Sequence, residues 1–235
     1  MLENECVNKM SVLRRVAVKS WIFILLIPLL TSCGTLKPVI CSYDTLNFYT
    51  IQEGILYRSA QPSGKQLFGL VQKYNIRSVI NLRGAQRGES WYDIEKAVSD
   101  RLGLQRVDIE MSADRLPHRE DLIQLLDAYR DLPRPILIHC KAGADRTGEA
   151  AAIFAMDHLK WSRRKAAAQL DPLFGHLRDF TPAKDYFIRE VYQGEDWARN
   201  TYDPCQQDYK YYDKGRYCAI APAARPYSVE EDDER

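Results

Sequence analysis

The run His139-Cys140-Lys141-Ala142-Gly143-Ala144-Asp145-Arg146-Thr147-Gly148 combines a thiol, a guanidinium and several small residues. It follows a short apolar stretch, Pro135 to Ile138, and precedes an Ala-rich stretch of helical character. A loop between a buried strand and a helix start aims backbone N–H groups and the positive helix end into one small space, which suits an anion. Thiols in such a field ionise more readily, and the thiolate is the nucleophilic form. Cys140 is therefore the candidate nucleophile. Arg146 carries a planar fork that can hold two phosphate oxygens. Gly143 permits a turn and a close backbone approach that a bulkier residue would obstruct. Lys141, Ala142, Gly143, Ala144, Asp145 and Arg146 are thus read as the lining of an oxyanion site beside a nucleophile.

The elements that must position this loop follow from periodicity and punctuation. Two short β runs pivot near Glu53-Gly54, a hairpin signal. Ser63 is placed to cap a helix through about Tyr74, with Leu67, Leu70 and Val71 at helical spacing. Ser78 to Leu82 reads as a buried strand, and Arg83-Gly84 begins a loop. A helix from about Ser90 to Leu102 is stopped by Gly103, and a strand follows from Leu104 to Ile109. His118 to Asp131 is amphipathic, and Pro135 to His139 suits a central strand. The helix after Arg146 runs through Leu159. Two more are expected at Ser162–Leu170 and Pro182–Tyr192, the latter capped by Thr181 with Pro182 in its first turn. Strands alternating with helices give an α/β fold with a central, largely parallel sheet flanked by helices.

The pattern His-Cys-x5-Arg-Ser/Thr-Gly is met at every fixed position from His139 to Gly148. In this the chain resembles the Cys-based phosphatases. Gly54 to Pro62 and Ile76 to Arg83 extend the resemblance to bacterial dual-specificity-type enzymes, similar also to atypical plant and fungal ones. The resemblance covers roughly residues 50–190 and implies a three-layer, protein tyrosine phosphatase-like fold. It also implies that Cys140 forms a cysteinyl-phosphate, that Arg146 and the loop amides hold the equatorial oxygens, and that Thr147 hydrogen-bonds the sulfur. His139 would orient the loop from behind. The family's general acid is an Asp on the loop after the preceding strand, which here is Glu110 to Pro117. Asp114 is the matching residue, with Asp145 as the rival and Asp108, inside a strand pattern, a weaker fit. No cofactor is implied.

Phosphorylated protein, above all phosphotyrosine, is the expected substrate. The Cys-Lys-x-Gly start and the Asp-Arg-Thr ending also resemble loops of phosphoinositide and inositol polyphosphate phosphatases, with Arg83, Arg87 and Arg115 available for a basic rim. A phosphate-binding module without turnover is the non-enzymatic alternative, and the intact Cys140/Arg146 pair argues against it. No metal-ligand spacing is visible: His118, His139, His158 and His176 are scattered and there is no Cys-x-x-Cys.

With 33 Lys+Arg against 32 Asp+Glu, the net charge of +1 gives no basic excess for a nucleic-acid partner. Arg14, Arg15 and Lys19 precede the apolar run Trp21 to Leu30, too short for a spanning helix and followed by Thr31-Ser32-Cys33-Gly34. This describes a signal peptide with a sequence that resembles a bacterial lipobox, making Cys33 the lipidated residue and the membrane a partner through that lipid. Met10 would give a leader of more usual length than Met1. The expected organisation is a leader over 1–33, a tether over 34–47, a phosphatase domain over 48–198 and a Tyr-rich, acidic, solvated tail over 199–235. The expected location is extracytoplasmic, on the periplasmic face of the outer membrane if the cell is Gram-negative. In an oxidising compartment Cys205 and Cys218 are expected to pair, with Cys41 as the alternative partner of either.

Overall fold

The computed structural model describes residues 46–212 and 214–218. The leader with Cys33, Cys41 and nearly all of the tether, and the acidic end, lie outside the described residues. Five short strands form one sheet: β1 (Tyr49–Gln52), β2 (Leu56–Ser59), β3 (Ser78–Asn81), β4 (Gln105–Asp108) and β5 (Ile136–His139). Their order is β1-β2-β5-β3-β4, with β1 antiparallel to β2 and the other pairings parallel. β5 lies between β2 and β3, and all four of its residues are buried, as a short apolar run flanked by crossovers should be. Ser59, Asn81 and His139 are in register across these three strands. Their C-terminal ends therefore open onto one edge, where the chain must place whatever it binds.

Helices cover both faces. On one lie α1 (Gly64–Tyr74) and α2 (Ser90–Arg101). Ser63 caps α1 in a reciprocal box with Gln66, which satisfies two N–H groups the helix itself cannot. Leu67 and Leu70 then close over Tyr57, Val79 and Leu137. On the other face lie α3 (Arg119–Asp131) and α4 (Asp145–Asp157). Leu122, Leu125, Leu126 and Tyr129 of α3 pack with Ala150, Ala151, Ala152 and Ala155 of α4. The small side chains let α4 lie close to its neighbours. Gly148 belongs to that approach, because a Cβ there would meet the Gln169 carbonyl and Leu170 at 2.7 Å.

Three expectations are corrected. The helix expected over Ser162–Leu170 is α5 (Arg163–Ala166) followed by a 3₁₀ turn, Ala167–Leu170. The chain tightens where Gln169 gives both its carbonyl and its side-chain oxygen to the buried Arg58. The helix expected over Pro182–Tyr192 is α6 (Pro182–Tyr186) and then a wider π turn, Phe187–Val191. There Arg163 takes the carbonyls of Ile188 and Tyr192. Thr181 does not cap α6 with its side chain, since its hydroxyl donates to Asp145.

The third correction concerns the tail. After α7 (Glu195–Asn200), Tyr202 is fully buried against Trp197, Phe187 and Tyr209, and Tyr212 packs on the same core. The folded unit thus runs past residue 198. Composition read this stretch as polar, but a Tyr ring buries like an apolar side chain while its hydroxyl finds a partner. Tyr202 does both, donating to the Pro117 carbonyl at 2.7 Å. Cys205 and Cys218 form the expected disulfide, the latter just after α8 (Lys214–Tyr217). Among the described residues no helix is long and apolar enough to cross a membrane.

Candidate active site

Cys140 follows β5 directly, is 2% exposed, and is the free cysteine among the described residues. The loop behind it is tied down by its carbonyls. The Gln61 N–H donates to the Lys141 carbonyl at 3.3 Å, Asn47 Nδ2 to Ala142 at 2.9 Å, and Arg58 to Gly143 at 2.7 Å. In a trans peptide the N–H of the next residue points opposite to the carbonyl. Tying three successive carbonyls outward therefore turns the N–H groups of Ala142, Gly143 and Ala144 toward the other side of the loop. Amides so turned can hold an anion. Gly143 sits at φ +71°, and a Cβ there would lie 2.6–2.7 Å from backbone atoms of Ser59 and Ala60. No other residue fits.

Arg58 is the main support. It is fully buried in β2, bridges Gly143 to Gln169, and stacks on Phe174 at 4.3 Å. Burial pulls its pKa down to about 10, with the charge at Cys140 opposing. His139, the last residue of β5, has its Nε2 3.1 Å from Glu95 Oε2, both groups fully buried. The contact is close enough for an ion pair but is not aligned as a hydrogen bond. Burial raises the Glu95 carboxyl, but His139, Arg106 and the Gln61 amide outweigh it and hold the group below the usual range.

Arg146 opens α4 with one guanidinium N–H on the Leu82 carbonyl at 3.3 Å, while its Nε is buried without a partner. Arg83 stacks on Trp91 at 3.3 Å and donates to Gln61. Burial, and then the neighbouring Arg146 charge, push the Arg83 pKa down. Two guanidinium groups thus share one corner, with Glu95 and Glu89 partly offsetting their charge. Thr147, in the first turn of α4, is buried with its hydroxyl unpartnered. Lys141 and Ala142 are exposed, and Ala144 is buried.

The two candidate acids are placed differently. Asp145 faces away toward a neighbouring loop, accepting from His176 Nδ1 and the Thr181 hydroxyl, each at 2.7 Å. Burial raises its pKa, but those bonds and charges hold it below the usual range. Asp114 is exposed, on the loop whose first residue, Glu110, bridges to Arg83. Its carboxylate accepts from Ser112 at 2.5 Å, the chief reason its pKa lies below the usual range.

Sequence reasoning assigned no role to Arg58, Glu95, Asn47 or Gln61. The available signal was a charge where an apolar residue belongs: Arg58 inside the strand run Leu56-Tyr57-Arg58, and Glu95 on the buried face of α2 with Tyr92 and Ser99. Buried charges require partners, and here the partners are the loop and its supports.

A sequence profile described as DSP-PTPase phosphatase fused to NAD+ kinase matches residues 39–172, more than half of the chain. The chain belongs to this dual-specificity/tyrosine phosphatase family. Among curated relatives it is 28% and 27% identical, over 146 residues, to the dual specificity protein phosphatase TpbA from two strains of Pseudomonas aeruginosa. The match covers 60% of this chain and 62% of the relatives, so the chain spans about three fifths of their length. The structure of P. aeruginosa TpbA with phosphotyrosine superposes with a TM-score of 0.50 at 24% identity, covering 66% of this chain and 88% of that one. The catalytic core of Siw14, a protein of S. cerevisiae, gives 0.53 at 20% identity, covering 65% and 88%. These likenesses establish the protein tyrosine phosphatase-like fold.

Proposed function

We propose that this protein hydrolyses phosphate monoesters through a cysteinyl-phosphate, with phosphotyrosine or another phosphorylated protein side chain as substrate. The observation that carries the reading is the loop of residues 141–143. Its carbonyls are all tied outward, leaving its amides, Arg146 and Cys140 to act on one anion. The Cys140 thiolate attacks phosphorus as the ester P–O bond breaks, and Asp114 gives its proton to the leaving oxygen. The loop amides and Arg146 stabilise the charge on the equatorial oxygens, each such donor being worth roughly 10²–10³ in rate. Asp114, now a carboxylate, takes a proton from water as that water attacks phosphorus. The P–S bond then breaks, Thr147 hydrogen-bonds the departing sulfur, and His139 with Glu95 holds the loop from behind. Asp145, committed to His176 and Thr181, fits a positioning role better than that of proton donor.

Phosphoprotein is favoured because the curated relatives are dual specificity protein phosphatases. The crowded Arg83/Arg146 corner supports a second reading, a phosphorylated inositol or lipid with more than one phosphate. The disulfide fits an oxidising compartment and so supports export; lipidation at Cys33 rests on the sequence alone, and fatty-acid labelling of wild type and Cys33→Ser would test it.

The deciding experiment is hydrolysis of a generic aryl phosphate, with chelator and no added metal, by wild type, Cys140→Ser, Asp114→Asn and Asp145→Asn. Turnover abolished in Cys140→Ser and reduced more in Asp114→Asn than in Asp145→Asn is the expected result. Phosphate binding without turnover in wild type would instead identify a binding module or an enzyme for a specialised substrate.

A further inference from the structure

The loop carrying Asp114 is gripped at four successive residues just after it, and three of the grips come from beyond α7. The Tyr202 hydroxyl donates to the Pro117 carbonyl at 2.7 Å, and the Leu116 N–H donates to the Tyr211 carbonyl at 3.3 Å. The Tyr212 hydroxyl bonds His118 Nδ1 at 2.8 Å, with the two rings edge to face. The fourth grip is Lys184 Nζ, which donates to the Arg115 carbonyl at 2.6 Å and is paired with the buried Glu149 of α4.

Tyr211 and Tyr212 lie on a segment that buries little of itself. Residues 205, 206, 208, 210 and 211 are exposed, and an open cleft lined by Arg119, Glu120, Asp203, Pro204, Cys205 and Tyr212 separates it from α3. Tyr209 and Tyr212 pack partly against the core and Tyr211 meets Tyr186, and the Cys205–Cys218 bond closes the loop that contains Tyr211 and Tyr212.

We infer that the disulfide-closed segment is a positioning element for the general acid. Through Tyr211 and Tyr212 it presets the Asp114 loop, so that loss of the Cys205–Cys218 bond impairs leaving-group protonation while leaving nucleophilic attack intact. This rests on the phosphatase reading and on Asp114 as the acid. It makes Tyr211 and Tyr212 positioning residues on a segment outside the stretch matched by the family profile, residues 39–172.

The test uses the full chain and two substrates. Phenyl phosphate needs a proton on its leaving oxygen, whereas 2,4-dinitrophenyl phosphate does not. In Cys205→Ala/Cys218→Ala, kcat/KM on phenyl phosphate should fall roughly tenfold, part of the ~10²–10⁴ that a placed proton donor supplies, and kcat/KM on the dinitrophenyl ester less than about twofold. The ratio kcat/KM excludes the later hydrolysis of the cysteinyl-phosphate. Asp114→Asn should then add less loss in that background than in wild type. Tyr212→Phe keeps the ring and the disulfide and guards against a variant that fails to fold; it should show the same selectivity at about threefold. Equal losses on both esters would mean general destabilisation, and no loss on either would mean the segment is inert; both overturn the inference. Wild type inactive on both esters would sink the reading of a generic aryl-phosphate hydrolase, and the positioning role with it.

Discussion

Arg58, Asn47 and the Gln61 N–H reach the phosphate loop from the N-terminal third of the chain and take its carbonyls one after another. The loop of Asp114 is gripped instead by Tyr202, Tyr211 and Tyr212 from near the other end of the chain, and Asp114 itself remains exposed. In the proposed mechanism the first loop is the receptor, its backbone fixed by bonds to three successive carbonyls. The second would carry one reacting group, held by bonds to its main chain and to His118. Substitutions in the phosphate loop should therefore damage every step, and substitutions around the acid only the two proton transfers.

Gly143→Ala tests the first half of that contrast and carries the largest effect. The added Cβ would meet backbone atoms of Ser59 and Ala60 at 2.6–2.7 Å in a left-handed conformation. The loop amides must move, so kcat/KM on both phenyl and dinitrophenyl phosphate should fall by about 10²–10³, the range for losing one oxyanion donor. Affinity for inorganic phosphate should fall with it. Retained phosphate affinity would break the link between this glycine and the cradle.

Asp114→Asn tests the second half. Its loss in kcat/KM, roughly 10² on phenyl phosphate, should nearly vanish on the dinitrophenyl ester, because kcat/KM excludes the later hydrolysis of the cysteinyl-phosphate. The Ser112 bond holds the Asp114 carboxyl below the usual range, which favours the ionised form in the free enzyme. The protonated acid is therefore most abundant at low pH. The wild-type advantage over Asp114→Asn in kcat/KM should shrink as pH rises, and an advantage growing with pH would assign the proton to another group.

The same contrast explains what could be read from sequence. Cys140, Arg146, Gly143 and the strand–loop–helix around them sit in one short stretch, because an anion cradle is made mostly of consecutive backbone. The parallel sheet was also legible, since buried strands are apolar runs with turn residues at their ends. Arg58 and Glu95 were visible as charges in apolar positions, but their partners lie 85 residues away at Gly143 and in the central strand at His139. Sequence spacing carries no such information. The folded segment after residue 198 was missed because Tyr counts as polar in composition and as core in packing.

Glu95→Gln probes the support behind the phosphate loop at a smaller scale. The amide keeps the shape but removes the charge facing His139 and Arg106, which then retains Asp108. Stability should fall by about 1–3 kcal/mol, as for a hydrogen bond to a charged group, lowering Tm by roughly 3–10 °C for a chain of this size. Turnover on both esters should fall together, by less than about tenfold. A loss confined to phenyl phosphate would tie α2 to the acid loop instead and dissolve the separation between the two regions.

The smallest effect belongs to the edge of the phosphate loop, where His176 bridges Asp145 and Asp185 at 2.7 and 2.6 Å and is 1% exposed. Burial lowers the imidazole pKa, but the two carboxylates outweigh it and the net shift is upward. Its stabilising contribution is therefore complete below the unfolded value of about 6.5 and is lost as pH rises through the folded value. Asp145 and Asp185 are both shifted down, so their share is present above about 3.9 and is lost as pH falls through their folded values. The bridge is thus fully formed between roughly pH 4 and 6.5. His176→Asn should cost about 1–2 kcal/mol near pH 5.5, roughly 2–8 °C in Tm, and progressively less toward pH 9. Melting curves across that range decide the matter. A deficit independent of pH would show that His176 supports the loop by its shape and neutral hydrogen bonds, leaving charge as the device of the buried face behind Cys140 alone.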